Sequence, residues 1–322
     1  MKLVEYTSLE EKEEFFYNGK VKINVNLELF FEKIEEFQTN GTSYIYRGCN
    51  EAKYRMYNSA QRIYITQELH KQVPENKISE HYNKFITESI ESCKNWYGNV
   101  VKLLFKSFGI DENNSIAYLS YMQHFGVPTP LIDFTFNPYV ALFIAIDNIS
   151  LDPSENEIDN YFSLYYAFSD ARAFKIWQTV FDTNLKDQVV SYDAIAENDM
   201  SIILPDNESY KVINSANIIN QEGLFIFNNH PWYPLERRYN GYAAIMKRDM
   251  GNEKFEKLLI HDKVAGCFNI HKSLIPAIKN QLNKKGITKD YVFPNMMDFK
   301  EIVSNEGILN SLTLKKIDGT IQ

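Results

Sequence analysis

Residues 127 to 146 read VPTPLIDFTFNPYVALFIAI, and the three prolines in this stretch constrain the fold more than any other feature of the chain. Pro128, Pro130 and Pro138 have no donor N–H and a locked φ, so a regular helix is forbidden over residues 127–138. Pro138 opens an apolar run and stands where a helix tolerates proline, so a helix is expected to start there. The earlier stretch SIAYLSYMQHFG (115–126) reads as another helix, closed by Gly126. The spacing therefore predicts an irregular connection between two helices. It gathers Asp133, Thr135 and Asn137, with Gln123 and His124 just before it. Polar side chains on an irregular segment anchored by regular elements are the usual form of a binding loop. Taken singly, each has a plainer reading. A lone histidine is more often a hydrogen-bonded structural group than a base. Asp133 and Thr135 suit the cap of the following helix.

The rest of the chain reads as alternating helices and strands with no internal repeat. NVNLELFFEKIEEFQ has Leu27, Phe30, Phe31, Ile34 and Phe37 at helical spacing, with Asn26 as N-cap. GTSYIYRG reads as a strand after a glycine turn. Residues 76–108 are mainly helical, with a break expected near Gly98. Strands are expected at 161–168, 223–229, 242–248 and 256–264, and a last helix at 273–287, ended by Gly286. An acidic loop, LDPSENEIDN, fills 151–160. The expected class is α+β.

Composition excludes several functions. The 322 residues carry a net charge of -8, which argues against a general phosphate-backbone binder but leaves room for a local basic cleft. The three cysteines, Cys49, Cys93 and Cys267, are widely separated and include no CxxC pair. Neither a disulfide framework nor a metal site is indicated, and a reducing cytoplasm is the expected setting. The first twenty residues lack the apolar centre of a secretory signal, and YVALFIAI (139–146) is too short to span a bilayer, so no membrane association is expected. No G-x-G-x-x-G follows an expected strand, and neither a phosphate-binding Walker loop nor an HExxH helix is present.

Two further segments concentrate chemistry. Tyr46-Arg47-Gly48 ends a strand on a planar cationic fork beside a residue without a side chain. NIINQEGLFIFNNHPWY (217–233) places Gln221 and Glu222 immediately before a strand. Alone, the first is a strand-end arginine and the second a solvated turn.

Taken together, these segments resemble the FRG domain family. Its aromatic-Arg-Gly element is similar to Tyr46-Arg47-Gly48, followed at matching spacing by Ser59 and Arg62. Its Gln-His-x-Gly-x-Pro-Thr, Asp-x-Thr and Asn-Pro elements resemble QHFGVPT, DFT and NP, and its Gln-x-Gly-x-Phe resembles QEGLF. Its closing Gly-Ile and Phe-Pro signature resembles LNKKGITKDYVFP, with Phe293-Pro294. The resemblance runs in order over about residues 40 to 300. Pro130 and Asn217 stand where the family usually has arginines, and Phe134 where it usually has tryptophan.

The resemblance implies a divergent branch of the ADP-ribosyltransferase superfamily. The fold it implies is a split β-sheet core with flanking helices, as a domain over 41–300, with a helical part at 1–40 packed on it and a tail at 301–322. It implies NAD as co-substrate and no metal. Arg47 is expected at the NAD phosphates, with Tyr46 and Gly48 beside it. Thr135 is expected at the nicotinamide, and Gln221 and Glu222 at the nicotinamide ribose. Phe134, Phe136, Tyr139 and Tyr46 are candidate flat surfaces for the rings. His124 or Asp133 is the candidate base for the acceptor. The expected activity is mono-ADP-ribosylation by an intracellular toxin or phage-defence effector. The expected partners are a protein, RNA or DNA acceptor and an antitoxin protein. A non-catalytic nucleotide sensor and an NAD glycohydrolase are the alternatives. HPWYPLERRYN (230–240) is equally an acceptor surface or a packed loop.

Overall fold

The computed structural model describes residues 2–39, 44–169, 192–196, 200–204, 212–213, 215–238, 248–249, 251, 253–254 and 263–294. The chain is of mixed α and β structure, organised on one seven-stranded sheet in the order β1-β7-β4-β2-β3-β6-β5. The strands are β1 (Lys22–Ile23), β2 (Tyr44–Cys49), β3 (Leu131–Thr135), β4 (Tyr161–Phe168), β5 (Met200–Ile203), β6 (Gly223–Asn228) and β7 (Ala265–His271). All neighbouring pairs are antiparallel except the edge pair β1–β7.

The ladder has one weak rung. β2 pairs with β4 over six residues, and β3 with β6 over five. Between β2 and β3 the register holds one pair, Tyr46 with Thr135, and the strands then part. Helix α6 (Pro138–Ile146) begins beside that parting and lies on β2.

The other helices are α1 (Leu9–Lys12), α2 (Leu27–Thr39), α3 (Ser59–Thr66), α4 (Ile78–Ser107), α5 (Ser115–His124), α7 (Tyr192–Ala196), α8 (Ala216–Asn220), α9 (Ile275–Lys284) and α10 (Lys289–Val292). The first half of the sheet buries Tyr46, Phe162, Leu164, Tyr166, Phe268 and Ile270 against α2, α6 and α9. Strand alternation turns their neighbours Ile45, Tyr165 and Cys267 to the opposite face, where Tyr6, Leu9 and Phe16 cover them. The far half of the sheet gives Leu131, Phe225 and Phe227 to a cluster with α3, α4 and α5.

Three sequence expectations need amendment, and a fourth lies beyond the described residues. The stretch 127–138 contains strand β3, where its prolines predict an irregular connection. Its prolines lie outside the five strand residues, so LIDFT keeps every N–H, and the Pro130 carbonyl accepts from Asn228 N at 3.0 Å. Helix α4 runs unbroken through Gly98. One glycine costs a helix interior about 1 kcal/mol, and buried residues on both sides, Ile90 and Cys93 before it and Val101 and Phe105 after, hold it straight. The last long helix starts at Ile275, after a 3-10 turn over Lys272–Leu274, and Gly286 follows it at φ +76°. The strands expected at 242–248 and 256–264 lie almost wholly outside the described residues.

Two features escape periodicity. β7 interrupts its apolar run with Gly266 and Asn269. Lys12 is fully buried, and its ammonium donates to the Ala52 carbonyl at 2.9 Å and to Ser163 Oγ and Asn269 Oδ1, both at 2.8 Å. These three neutral acceptors stand in for water around a cation that has no carboxylate in contact among the described residues. Burial lowers its pKa, with Cys267 and Cys49 pulling the other way. Among the described residues, no helix is long and apolar enough to cross a membrane.

Candidate functional site

A cleft of about 350 Å³ opens where β2 and β3 part. β2 lines it with Tyr46, Arg47 and Gly48, and β3 with Asp133, Phe134 and Thr135. The last turn of α5 adds Gln123 and His124, α6 adds Ala141 and Ile144, and the Asn217–Gln221 turn and Phe293 close it. A larger groove of about 620 Å³ along α4 and α5 is lined by Phe85, Trp96, Tyr121 and Phe125, with Glu88 its one charged member. It offers no cation and no converging polar groups. The smaller cleft, which has both, is the candidate site.

Arg47 spans the parting. Its Nη1 donates to the Asp133 carbonyl at 2.7 Å, and its guanidinium has no ion pair among the described residues. Four of its five donors thus remain for a ligand. Gly48 answers a different demand. A Cβ there would lie 1.9 Å from the Ala141 carbonyl oxygen and 2.8 Å from Ala145 N. The close approach that this glycine permits is that of the α6 backbone.

The Asp133 carboxylate is held from α5. Gln123 Nε2 donates to its Oδ2 at 2.7 Å, while Gln123 Oε1 accepts from the Thr129 hydroxyl at 2.5 Å. Beside it, Asn217 Nδ2 lies 3.3 Å from His124 Nδ1. An amide donor there needs the Nδ1 lone pair, which leaves the ring proton on Nε2. Burial lowers the His124 pKa, and the Asp133 charge only partly offsets this, so the ring is neutral at pH 7.

The opposite end of the cleft is a hydrogen-bonded turn. The Thr135 hydroxyl donates to the Gln221 carbonyl at 2.5 Å and accepts from Asn137 N at 2.8 Å. It therefore fastens the turn that carries Gln221 and Glu222. Gln221 is half-buried, and its side-chain amide donates to the Val292 carbonyl at 2.9 Å. Glu222 is exposed and adopts φ +47°, a left-handed conformation that costs a non-glycine residue about 1 kcal/mol. Its backbone is tied on both sides, by its N–H to Ile219 O at 3.0 Å and by its carbonyl from Phe136 N at 3.1 Å. Its carboxylate Oε1 accepts from Asn137 Nδ2 at 2.8 Å.

The aromatic candidates separate. Phe134 lines the cleft. Tyr139, expected to offer a flat face, is not among the lining residues. It stacks on Phe31 at 6.2 Å, and its hydroxyl donates to Glu35 Oε1 at 3.3 Å. Its place in the first turn of α6 directs it to α2. Phe136, 39% exposed, is also outside the lining. Tyr46 is 2% exposed, its ring packed beside Tyr44 in the α2–α6 cluster, so it offers no open face. The 230–240 segment is largely stapled down. Gln61 Nε2 donates to the His230 carbonyl at 2.5 Å and to the Tyr233 carbonyl at 2.8 Å. Glu236 is fully buried, accepting from the Tyr6 hydroxyl at 2.6 Å. Tyr233 and Arg237 stay exposed, while Asn240 lies outside the described residues.

Sequence reasoning gathered Asn137 into the binding loop without a task of its own, and noted Asn217 only as standing where the resembled family usually has arginine. The signal for Asn217 was its position, one helical turn before Gln221; only the fold reveals its partner, 93 residues earlier in the chain.

Residues 42–154 match the FRG domain family. The match takes in Arg47, Gly48, His124, Asp133 and Thr135 and ends before the Gln221-Glu222 turn. No curated protein and no solved structure matches the chain.

Proposed function

We propose that this chain is an NAD-dependent mono-ADP-ribosyltransferase built on a split sheet of the ADP-ribosyltransferase kind. One observation carries the reading. The sheet parts after the Tyr46–Thr135 pair, and the parting holds at one side an arginine with no ion pair among the described residues and at the other Gln221 of a fastened turn, with Glu222 next to it. In the reaction the bond between the nicotinamide nitrogen and ribose C1′ breaks, and its electron pair leaves with nicotinamide. The acceptor's nitrogen or oxygen forms the new bond to C1′ and gives up a proton.

Each residue has a task in that scheme. Arg47 neutralises the pyrophosphate with its free donors. Glu222 stabilises the positive charge that develops on the ribose, as carboxylates do for oxocarbenium-like states. Its constrained backbone and its bond from Asn137 hold the carboxylate before substrate arrives. Thr135 and Gln221 position that turn. Phe134 supplies an apolar wall. Neutral His124 accepts the acceptor's proton at Nδ1, giving up the 3.3 Å contact from Asn217 that otherwise fills that lone pair, with Asp133 beside it.

The acceptor in this reading is a protein, RNA or DNA, and the setting is an intracellular toxin or defence effector controlled by an antitoxin. That wider role rests on analogy with the superfamily. Incubation of the purified chain with labelled NAD and cell lysate tests it. Label in protein or nucleic acid supports transfer. Free ADP-ribose alone converts the reading to an NAD glycohydrolase, with water as acceptor. Intact NAD despite measurable binding overturns both and leaves a nucleotide sensor.

A further inference from the structure

A second cavity, of about 560 Å³, lies against helix α3. It is lined by Tyr54, Tyr57, Arg62 and Thr66, by the N-terminal residues Lys2 to Glu5, and by Arg55. Arg55 is already committed. It is ion-paired with Glu11 and lies over the Tyr6 ring at 4.1 Å. Arg62 is not. Its side chain is exposed, and its guanidinium has no hydrogen bond or ion pair among the described residues.

Arg62 lies one helical turn after Ser59, whose hydroxyl donates to Gln123 Oε1 of the first cleft at 3.5 Å. It lines the second cavity, and the charges of Arg47 and Asp133 in the first cleft act on it. Partial burial and then the Arg47 charge both disfavour its cationic form. The Arg47 charge acts on Arg62 more strongly than the opposing Asp133 charge, and neither guanidinium has an ion pair among the described residues, so a bound anion relieves the repulsion. A pyrophosphate carries enough charge and enough oxygens for both forks. The first cleft, about 350 Å³, is at the small end for a whole dinucleotide. Tyr54 is 40% exposed in the second cavity and presents a ring beside the anion position.

We propose that Arg62 is the second cation of a pyrophosphate clamp with Arg47, and that the adenosine half of the dinucleotide occupies the Tyr54–Tyr57 cavity. This deepens the reading of the Arg47 cleft as an NAD site and rests on it for the identity of the other half. Lys2 offers a further charge at the cavity, and Glu5 is the acidic residue there.

Calorimetric titration with ADP and with nicotinamide mononucleotide tests the assignment. The wild-type chain binds ADP. Arg62→Gln weakens ADP about tenfold or more, the loss of one charge-assisted contact. Tyr54→Ala weakens ADP and leaves nicotinamide mononucleotide unchanged. Both side chains are exposed, so thermal melts near wild type are expected to accompany these losses. Equal ADP affinity in wild type and Arg62→Gln overturns the clamp, and equal losses of ADP and mononucleotide in Tyr54→Ala overturn the adenosine placement. A wild-type chain that binds no ADP overturns both. Turnover separates this inference from the reading beneath it. ADP binding lost in Arg62→Gln, with NAD never consumed by wild type, keeps the clamp and removes the transferase. NAD consumed with an unchanged KM in both variants removes the clamp and keeps the transferase.

Discussion

Asn137 holds Glu222. Its Nδ2 donates to Glu222 Oε1 at 2.8 Å, while its Oδ1 accepts from Tyr139 N at 3.0 Å and Val140 N at 3.3 Å as the N-cap of α6. One side-chain amide thus joins the start of a helix that packs on β2 to the Glu222 carboxylate, which is exposed and stands outside the cleft lining, next to Gln221 within it.

Two substitutions separate these duties. Asn137→Ala removes the cap and the Glu222 contact together, so stability falls by about 1 kcal/mol and NAD turnover falls with it. Asn137→Asp keeps a capping oxygen but sets a carboxylate against Glu222. Chemical denaturation is expected to show near-wild-type stability for the aspartate variant while its turnover is lost. Full turnover in Asn137→Asp removes any role for the Glu222 contact.

Arg47→Ala is expected to weaken NAD binding about tenfold or more and leave folding intact, because its one side-chain bond among the described residues is to the carbonyl of exposed Asp133. Arg47→Lys is expected to restore little, since lysine lacks the planar fork. Equilibrium dialysis with labelled NAD, alongside a thermal melt, reads both. Undiminished binding in the alanine variant refutes the phosphate role.

Gly48→Ala is expected to cost about 1–3 kcal/mol or more, as overpacking against a fixed backbone does. The obstruction is the Ala141 carbonyl at 1.9 Å, so trimming the neighbouring side chain by Ala145→Gly is expected not to rescue it. Urea denaturation of the single and double variants checks this. A rescued double variant points to the Ala145 methyl, 2.9 Å away, instead.

His124 predicts a pH dependence. Its folded pKa is lowered from 6.5 by burial, so between that lowered value and 6.5 the unfolded chain binds more protons than the folded one. The His124 contribution to stability is therefore complete above pH 6.5. It declines as pH falls through this window and levels off below the folded pKa. His124→Gln is expected to flatten that part of the curve relative to wild type. NMR titration of the ring protons reads the folded pKa directly; a value at or above 6.5 sinks the prediction. If His124 is the base, the acid limb of turnover follows the same lowered value.

Some of this was written plainly in the sequence. Helices α2, α4 and α6 announce themselves by periodic apolar residues and by Asn26, whose side chain does accept from Leu29 N at 3.0 Å, and by Pro138. β2, β4 and β6 are aromatic or β-branched over at least half of their length. β3 was hidden because prolines on both sides of LIDFT dominate a local reading, although none occupies the strand. β7 was hidden because Asn269 is a buried acceptor for Lys12, a partner 257 residues away that no window can see. The site shows the same division. Arg47, Asp133 and Thr135 could be nominated from local motifs, but the pairing of Asn217 with His124 and the turn of Tyr139 away from the cleft depend on how helices meet.

The lone rung between Tyr46 and Thr135 carries a mechanical consequence. On one face each half of the sheet has its own apolar cluster, one under α6 and the other under α5. On the other face a shared cluster packs Ile45 and Tyr165 with Ile132, Leu224 and Ile226 and binds the halves together. The parting is therefore a notch cut into one side of a continuous body, and its width is set by the packing behind it.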